Sequence, residues 1–276
     1  MDLPHLRQPR LMGILNVTDD SFSDGGRYLN PDQALLHAQA MARDGAAIID
    51  IGGESTRPGS DPVPAEVEFA RVIPVLTRLR QLWPEVDISV DTRNSEIAQA
   101  AIELGAAYIN DISALRSDPA LAPLLASNPS VKVILTHMQG EPASMQAAPL
   151  YGDVVAEVGE FFRERIAFAA SVGISKDRLL LDPGIGFGKD LGHNLALLSR
   201  LDSFREFGLP LVLGVSRKRF IDALDPSAPD QRLGGTLAAA LVCALQNADI
   251  LRVHDVKEHR QFFAVLAGLA EAAWIS

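Results

Sequence analysis

The chain has 276 residues, 47% of them hydrophobic, with one cysteine and a formal net charge of −10. That length fits one large domain whose core needs no covalent staples, and Cys243, alone in an apolar run over 237–245, reads as a buried thiol and excludes an intrachain disulfide. The acidic balance argues against nucleic acid as the main partner; with neither a signal peptide over 1–10 nor a membrane-length apolar run of about 18–20 residues, the chain reads as a soluble, cytoplasmic protein.

In chain order, the first strand-length apolar burst is 11–17, followed by a long polar, glycine-rich stretch over 18–30 with Asp19, Asp20, Ser21 and Asp24. Helical spacing then runs over 32–43 behind Asn30-Pro31. The second burst, 48–52, leads into another long loop, 53–64, carrying Glu54, Thr56 and Arg57, and a helix over 65–81. Strand 88–91 precedes a helix over 95–104 that Asn94 or Thr92 can cap; strand 108–112 precedes a shorter helix at 119–126. Strand 132–137 pairs with helix 154–171, strand 179–182 with helix 194–204, strand 211–215 with helix 231–246, and strand 250–253 with helix 257–273. Gly45, Gly105, Gly173 and Gly208 stand where helices should stop.

The eight bursts are rich in Ile, Val and Leu without polar alternation, the pattern of parallel strands buried on both faces. Each has its own helix and no linker interrupts the alternation, which favours a single α/β domain, a (β/α)8 barrel over 1–276, over an open doubly wound sheet. The open sheet would carry a dinucleotide fingerprint after its first strand, and none is there. Gly184-Ile185-Gly186-Phe187-Gly188-Lys189 fails that pattern because Lys189 takes the place of the third glycine, and it fails the Walker pattern at Pro183 and Asp190.

A barrel collects its chemistry at the C-terminal strand ends. Those ends carry Asn16, Glu54 with Thr56 and Arg57, Asp91, Asn110 with Asp111, Thr136 with His137, Asp182, Ser216 with Arg217 and Lys218, and Arg252 with His254 and Asp255. Any one of them alone reads as a cap or loop residue. Together they suit a flat, heteroatom-rich ligand with an anionic leaving group. No set has zinc spacing, but Mg²⁺ needs few protein oxygens beside water and phosphate, and Asn16 with Asp20 would suffice. Ser216 lies outside a nucleophile elbow, and no nucleophile–base pair stands out.

Asn16-Val17-Thr18 leading to Asp20-Ser21-Phe22-Ser23-Asp24-Gly25-Gly26, and Asp50-Ile51-Gly52-Gly53-Glu54-Ser55-Thr56-Arg57-Pro58-Gly59, resemble the dihydropteroate synthases. The later motifs agree in order: Ser89-Val90-Asp91-Thr92, Ile109-Asn110-Asp111-Ile112, Leu181-Asp182-Pro183-Gly184 through Lys189, Ser216-Arg217-Lys218-Arg219-Phe220 and Arg252-Val253-His254-Asp255-Val256. The resemblance implies a transferase that condenses 6-hydroxymethyl-7,8-dihydropterin pyrophosphate with p-aminobenzoate, with Mg²⁺ as metal and a homodimer as the usual assembly.

It further implies a pterin pocket of Asp91, Asn110, Asp182, Gly214 and Lys218, with Arg252 against the ring. Asn16, as metal ligand, joins Arg252 and His254 at the pyrophosphate, and Asp20, Ser21, Thr56 and Arg57 ride on loops over the reacting carbon. Lys218, Arg252, His254 and Asp91 are the catalytic candidates. Phe187, Arg217 and Arg219 face p-aminobenzoate, whose carboxylate meets either a guanidinium or a backbone amide, because Arg219 replaces a common serine. A pterin's amino group and ring N–H form a donor pair suited to one ionised carboxylate, Asp182. The rival is a pterin barrel presenting methyltetrahydrofolate to a corrinoid methyltransferase, which needs neither the Ser-Thr-Arg-Pro-Gly loop nor the pyrophosphate motif. A catalytically silent binding barrel is a third reading. The alanine-rich helix at 236–246 can face a partner subunit or pack on the barrel.

Overall fold

The computed structural model describes residues 7–18, 31–55 and 60–272. Among them run eight parallel strands: β1 (Arg10–Asn16), β2 (Ile48–Gly52), β3 (Asp87–Asp91), β4 (Tyr108–Asp111), β5 (Lys132–Thr136), β6 (Leu179–Asp182), β7 (Val212–Leu213) and β8 (Ile250–Val253). Helices α1 (Pro31–Arg43), α2 (Ala65–Leu82), α3 (Ser95–Glu103), α4 (Leu121–Ala126), α5 (Val154–Ser171) and α6 (Leu191–Ser199) follow the first six strands in turn. The short α7 (Arg219–Leu224) and then α8 (Leu233–Leu245) follow β7, and α9 (Val256–Ala272) follows β8. The sheet order is β6-β5-β4-β3-β2-β1-β8-β7, and a parallel bridge from Leu181 to Leu211 joins its two ends. The fold is the (β/α)8 barrel read from the strand count.

Strand pleating divides the core in two, because successive side chains point to opposite faces. Outward residues such as Leu15, Ile51, Val90, Ile109, Val133 and Leu181 pack on helix residues including Val72, Leu76, Ile97 and Phe162. The intervening inward residues Met12, Ile48, Tyr108, Ile134, Leu180, Val212 and Ile250 form a separate apolar layer that fills the barrel. Below it, Arg10 ties the N-terminal mouth, donating to the Tyr108 hydroxyl at 3.0 Å and to Asp87 Oδ2 at 2.8 Å. The barrel's open end is therefore the C-terminal one.

Local signals explain most boundaries. Asn94 is the cap of α3, its side chain accepting the Glu96 N–H at 3.0 Å, while Thr92 Oγ1 accepts the Asn94 N–H at 3.1 Å. Three expectations are corrected. Strand seven spans two residues instead of five, since the chain leaves the sheet at Gly214 and turns through Arg217 at φ 58. A helix at Arg219–Leu224 went unforeseen. The sixth helix starts earlier than 194, at Leu191, because Asp190 caps it by accepting the His193 N–H at 2.8 Å; its continuation over Leu201–Phe207 is a 3₁₀ helix. Cys243 is buried, and burial pushes its thiol up to about 12. Among the described residues, no helix is long and apolar enough to cross a membrane.

Candidate active site

One pleat repeat above the apolar layer, the inward columns turn polar. Arg252 on β8 organises one side: its Nε donates to Asp50 Oδ2 on β2 at 2.5 Å and its Nη2 to Asp91 Oδ2 on β3 at 2.7 Å. Asn110 on β4 adds an Nδ2 donor to the same Asp50 oxygen at 3.3 Å. Burial opposes the Arg252 charge, but Asp50 and Asp91 more than offset it and hold the guanidinium above its usual pKa. Asp91 is shifted above the carboxylate range, chiefly by burial, with Asp50, Glu68 and Glu54 adding to the shift against Arg252. Two buried carboxylates thus share one cation, an arrangement that favours further donors from a ligand. The Asp50 Oδ1 and Ser89 Oγ, on register neighbours of β2 and β3, have no protein partner among the described residues.

Across the pocket, Asp182 at the end of β6 accepts the Gly184 N–H at 2.7 Å. Burial raises its pKa, while that hydrogen bond, Lys218, Arg252 and Lys189 pull it back. Lys218, just before α7, is drawn down to about 8 by desolvation, against the attraction of Asp182. Its Nζ stands 4.2 Å from the Phe187 ring centroid, a cation–π contact. Gly214, just past β7, leaves open space where a side chain would stand, since a Cβ built there meets no heavy atom within 4 Å.

Phe187 owes its place to the turn 184–188. A Cβ on Gly184 would stand 1.9 Å from the His137 carbonyl oxygen, and one on Gly188 2.3 Å from that of Gln139; both glycines have positive φ. These glycines allow the turn to lie against the β5–α5 loop, which explains a glycine-rich motif that fits no nucleotide fingerprint. The loop straps it from the other side, with Gln146 Nε2 donating to Gly186 O at 2.6 Å and the Tyr151 hydroxyl to Gly188 O at 2.9 Å. Ile112, Met138 and Met145 form the apolar backing of Phe187.

The third side holds Asn16, half-buried at the end of β1 in register with Gly52, and His254 after β8. The His254 N–H donates to Ser216 Oγ at 3.3 Å, and its ring Nδ1 is 3.0 Å from the same oxygen. Arg217 forks onto Asp255, with Nε to Oδ2 at 3.0 Å and Nη2 to Oδ1. Its left-handed backbone is fixed by an N–H to Thr236 Oγ1 and a carbonyl accepting from Arg232 Nη1, both at 3.0 Å. Arg217 is therefore engaged with Asp255, and Arg219 is exposed one residue beyond Lys218.

Two other strand-end residues serve the scaffold. Asp111 points away from Asn110 and accepts from Ser113 N, Ser113 Oγ and Leu115 N at 2.6 to 2.7 Å, holding Ala114 and Leu115 at φ 52 and 64. Glu54 pairs with Arg93 at 3.0 Å. Asp20, Ser21, Thr56 and Arg57 lie outside the described residues. Asp50 was missed because it sits inside the run Ile48–Gly52 and not at its end. Ile112, Met138 and Met145 were missed because apolar walls give no polar signal.

Comparison with known proteins places nearly the whole chain in one family. Residues 12–254 match the family model described as pterin binding enzyme. The dihydropteroate synthase of Escherichia coli strain K12 is 51% identical over 258 residues, covering 94% of this chain and 89% of the relative. The chain belongs to the dihydropteroate synthase family. The Yersinia pestis dihydropteroate synthase in a sulfonamide complex superposes with a TM-score of 0.90 at 44% identity, covering 98% of this chain and 96% of that one. The Xanthomonas albilineans dihydropteroate synthase with 4-aminobenzoic acid gives 0.88 at 46% identity, covering 96% and 94%. Relatives with this name do not favour the methyl-carrier alternative.

Proposed function

We infer that the pocket condenses 6-hydroxymethyl-7,8-dihydropterin pyrophosphate with p-aminobenzoate, giving 7,8-dihydropteroate and pyrophosphate. The observation that carries this reading is the buried polar floor itself. Asp182 and Lys218 are near enough to attract one another, and Arg252 is forked over two carboxylates. Asp182 accepts the donor pair of the pterin, Lys218 and Asn110 donate to its ring acceptors, and the Arg252 guanidinium lies against the ring.

The Ser216–His254 hydroxyl–imidazole contact lies on the third side, and among the described floor residues there is no nucleophile–base pair, so the reaction is best served by departure of the leaving group. The methylene C–O bond breaks, both electrons go to pyrophosphate, and the positive charge left on the dihydropterin is met by the Asp91 and Asp182 carboxylates. The arylamine nitrogen then forms the C–N bond and releases a proton. Arg252 and His254 stabilise the departing charge, while Phe187 and Arg219 flank the second substrate. Among the described residues, no group of three or more His, Cys, Asp or Glu is placed to hold a metal ion. One neutral amide oxygen, from Asn16, fits Mg²⁺ that arrives with its waters and the substrate's phosphates. When bound, the ion neutralises charge on pyrophosphate.

Pyrophosphate release from purified protein, Mg²⁺ and the two substrates tests the reading. Turnover is expected, with sulfonamides competing against p-aminobenzoate; pterin binding without turnover contradicts it. Cytoplasmic residence is supported by the buried lone thiol, and a homodimer by exposed apolar residues Leu195 and Val242 on α6 and α8; sedimentation velocity tests the assembly.

A further inference from the structure

The turn 184–188 ends on a lysine that the reaction above does not use. Lys189 is 2% exposed. Its Nζ lies 2.9 Å from His137 Nδ1, 3.0 Å from the Phe187 carbonyl oxygen and 3.4 Å from that of His137. Three acceptors match the three N–H bonds of an ammonium. The arrangement requires a neutral His137 accepting at Nδ1, and burial, with Lys189 and Arg116 nearby, drives that imidazole down to about 2.

The same ammonium stands behind the pterin acceptor. A Cβ on Gly184 would be 3.5 Å from Lys189 Nζ, and the Gly184 N–H is the one that bonds Asp182. Lys218, Arg252 and Lys189, in decreasing order, all favour the charged form of that one carboxylate. The remaining groups around Lys189 are His137 from the end of β5 and the Tyr151 ring, 6.0 Å away, with His193 of α6 packed edge-on against that ring.

We propose that Lys189 is a positioning residue of the synthase: it staples the Phe187 turn to the end of β5 and keeps Asp182 ionised from behind the pocket. The inference rests on Asp182 being the pterin acceptor. Burial pulls Lys189 down to about 7, so it carries its charge at the mildly acid pH where a buried carboxylate gains a proton. Removing a nearby cation raises the Asp182 pKa further, and a protonated Asp182 loses half of its acceptor fork. Pterin affinity then fails at a higher pH than in the wild type.

Lys189→Gln, Lys189→Met and Lys189→Arg, made in the full chain and checked for folding by thermal melting, are titrated calorimetrically with 6-hydroxymethyl-7,8-dihydropterin from pH 5.5 to 8.5. The two neutral variants should move the acid limb of affinity up by about one pH unit. That shift means binding up to about tenfold weaker than wild type on the acid side of the limb, with the two affinities converging toward pH 8.5. Lys189→Arg should keep the wild-type limb. An unmoved limb, a loss uniform across pH, or a Lys189→Arg limb that moves with the neutral variants would overturn the proposal. Wild-type protein that binds no pterin would overturn the function reading along with it.

Discussion

Two layers of the barrel interior, only two residues apart along each strand, make opposite uses of the same inward-facing columns. Met12, Ile48, Leu180 and Ile250 fill the lower layer with hydrocarbon, while Asp50, Asp182 and Arg252 occupy the next inward positions on three of those strands. The step between them is about 6–7 Å at 3.3 Å per strand residue. Stability and chemistry are therefore stacked on one scaffold, and the apolar layer is the rigid base from which buried charges project. A substitution in one layer should be felt mainly in that layer's own property.

The largest test of that division is Leu180→Ala, which should lower unfolding free energy by about 2–5 kcal/mol while the protein that remains folded keeps its turnover number. Denaturant titration and steady-state kinetics check both halves. Arg252→Ala should reduce turnover about 10²–10³-fold, more than it weakens pterin binding; equal losses in the two measurements would contradict a leaving-group role. Asp182→Asn replaces an acceptor with a donor and should weaken pterin binding by about 1–3 kcal/mol, measured by calorimetry, with little change in melting temperature.

An effect visible only as a pH dependence sits outside both layers, at Glu68 on α2. Burial raises its carboxyl from 4.5 to about 7, with Glu54 adding to the shift and Thr92 and Arg93 opposing it. Its folded pKa is above the unfolded one, so its contribution is fully present below about pH 4.5 and is lost as pH rises through 7. Melting temperatures of wild type should therefore fall relative to Glu68→Gln between pH 4.5 and 8. A constant difference over that window would refute it.

How much could be read from residues alone follows from the same stacking. The strands were legible because runs such as Lys132–Thr136 must be apolar on both faces, and Asp91, Asn110, Asp182 and Arg252 stood out as polar residues breaking those runs at their ends. Asp50 did not, since a buried carboxylate in mid-strand looks like an irregularity until its partner, distant by 202 positions, is seen beside it. Lys189 stands in the sequence as the end of a family motif and the residue that breaks the nucleotide fingerprint, with no partner in view. Its acceptors, His137 and the Phe187 carbonyl, become visible once β5 and β6 are laid side by side. Likewise, Asn110 and Asp111 are indistinguishable as neighbours in a motif, and only pleating sends one into the pocket and the other beneath a strained turn.

The barrel wall is unevenly sewn. β7 has two residues, and toward β6 the closure rests on the Leu181–Leu211 bridge, with the Leu181 N–H meeting the Pro210 carbonyl at 3.0 Å. Local opening is easiest where the fewest bonds must break, so thermal breathing of the wall concentrates at this seam. Asp182 stands on its β6 lip and Lys218 beyond its β7 lip. In the binding mode proposed above both reach for one ring, which makes a bound pterin a stitch fastening edges that the strands themselves join by little more than one thread.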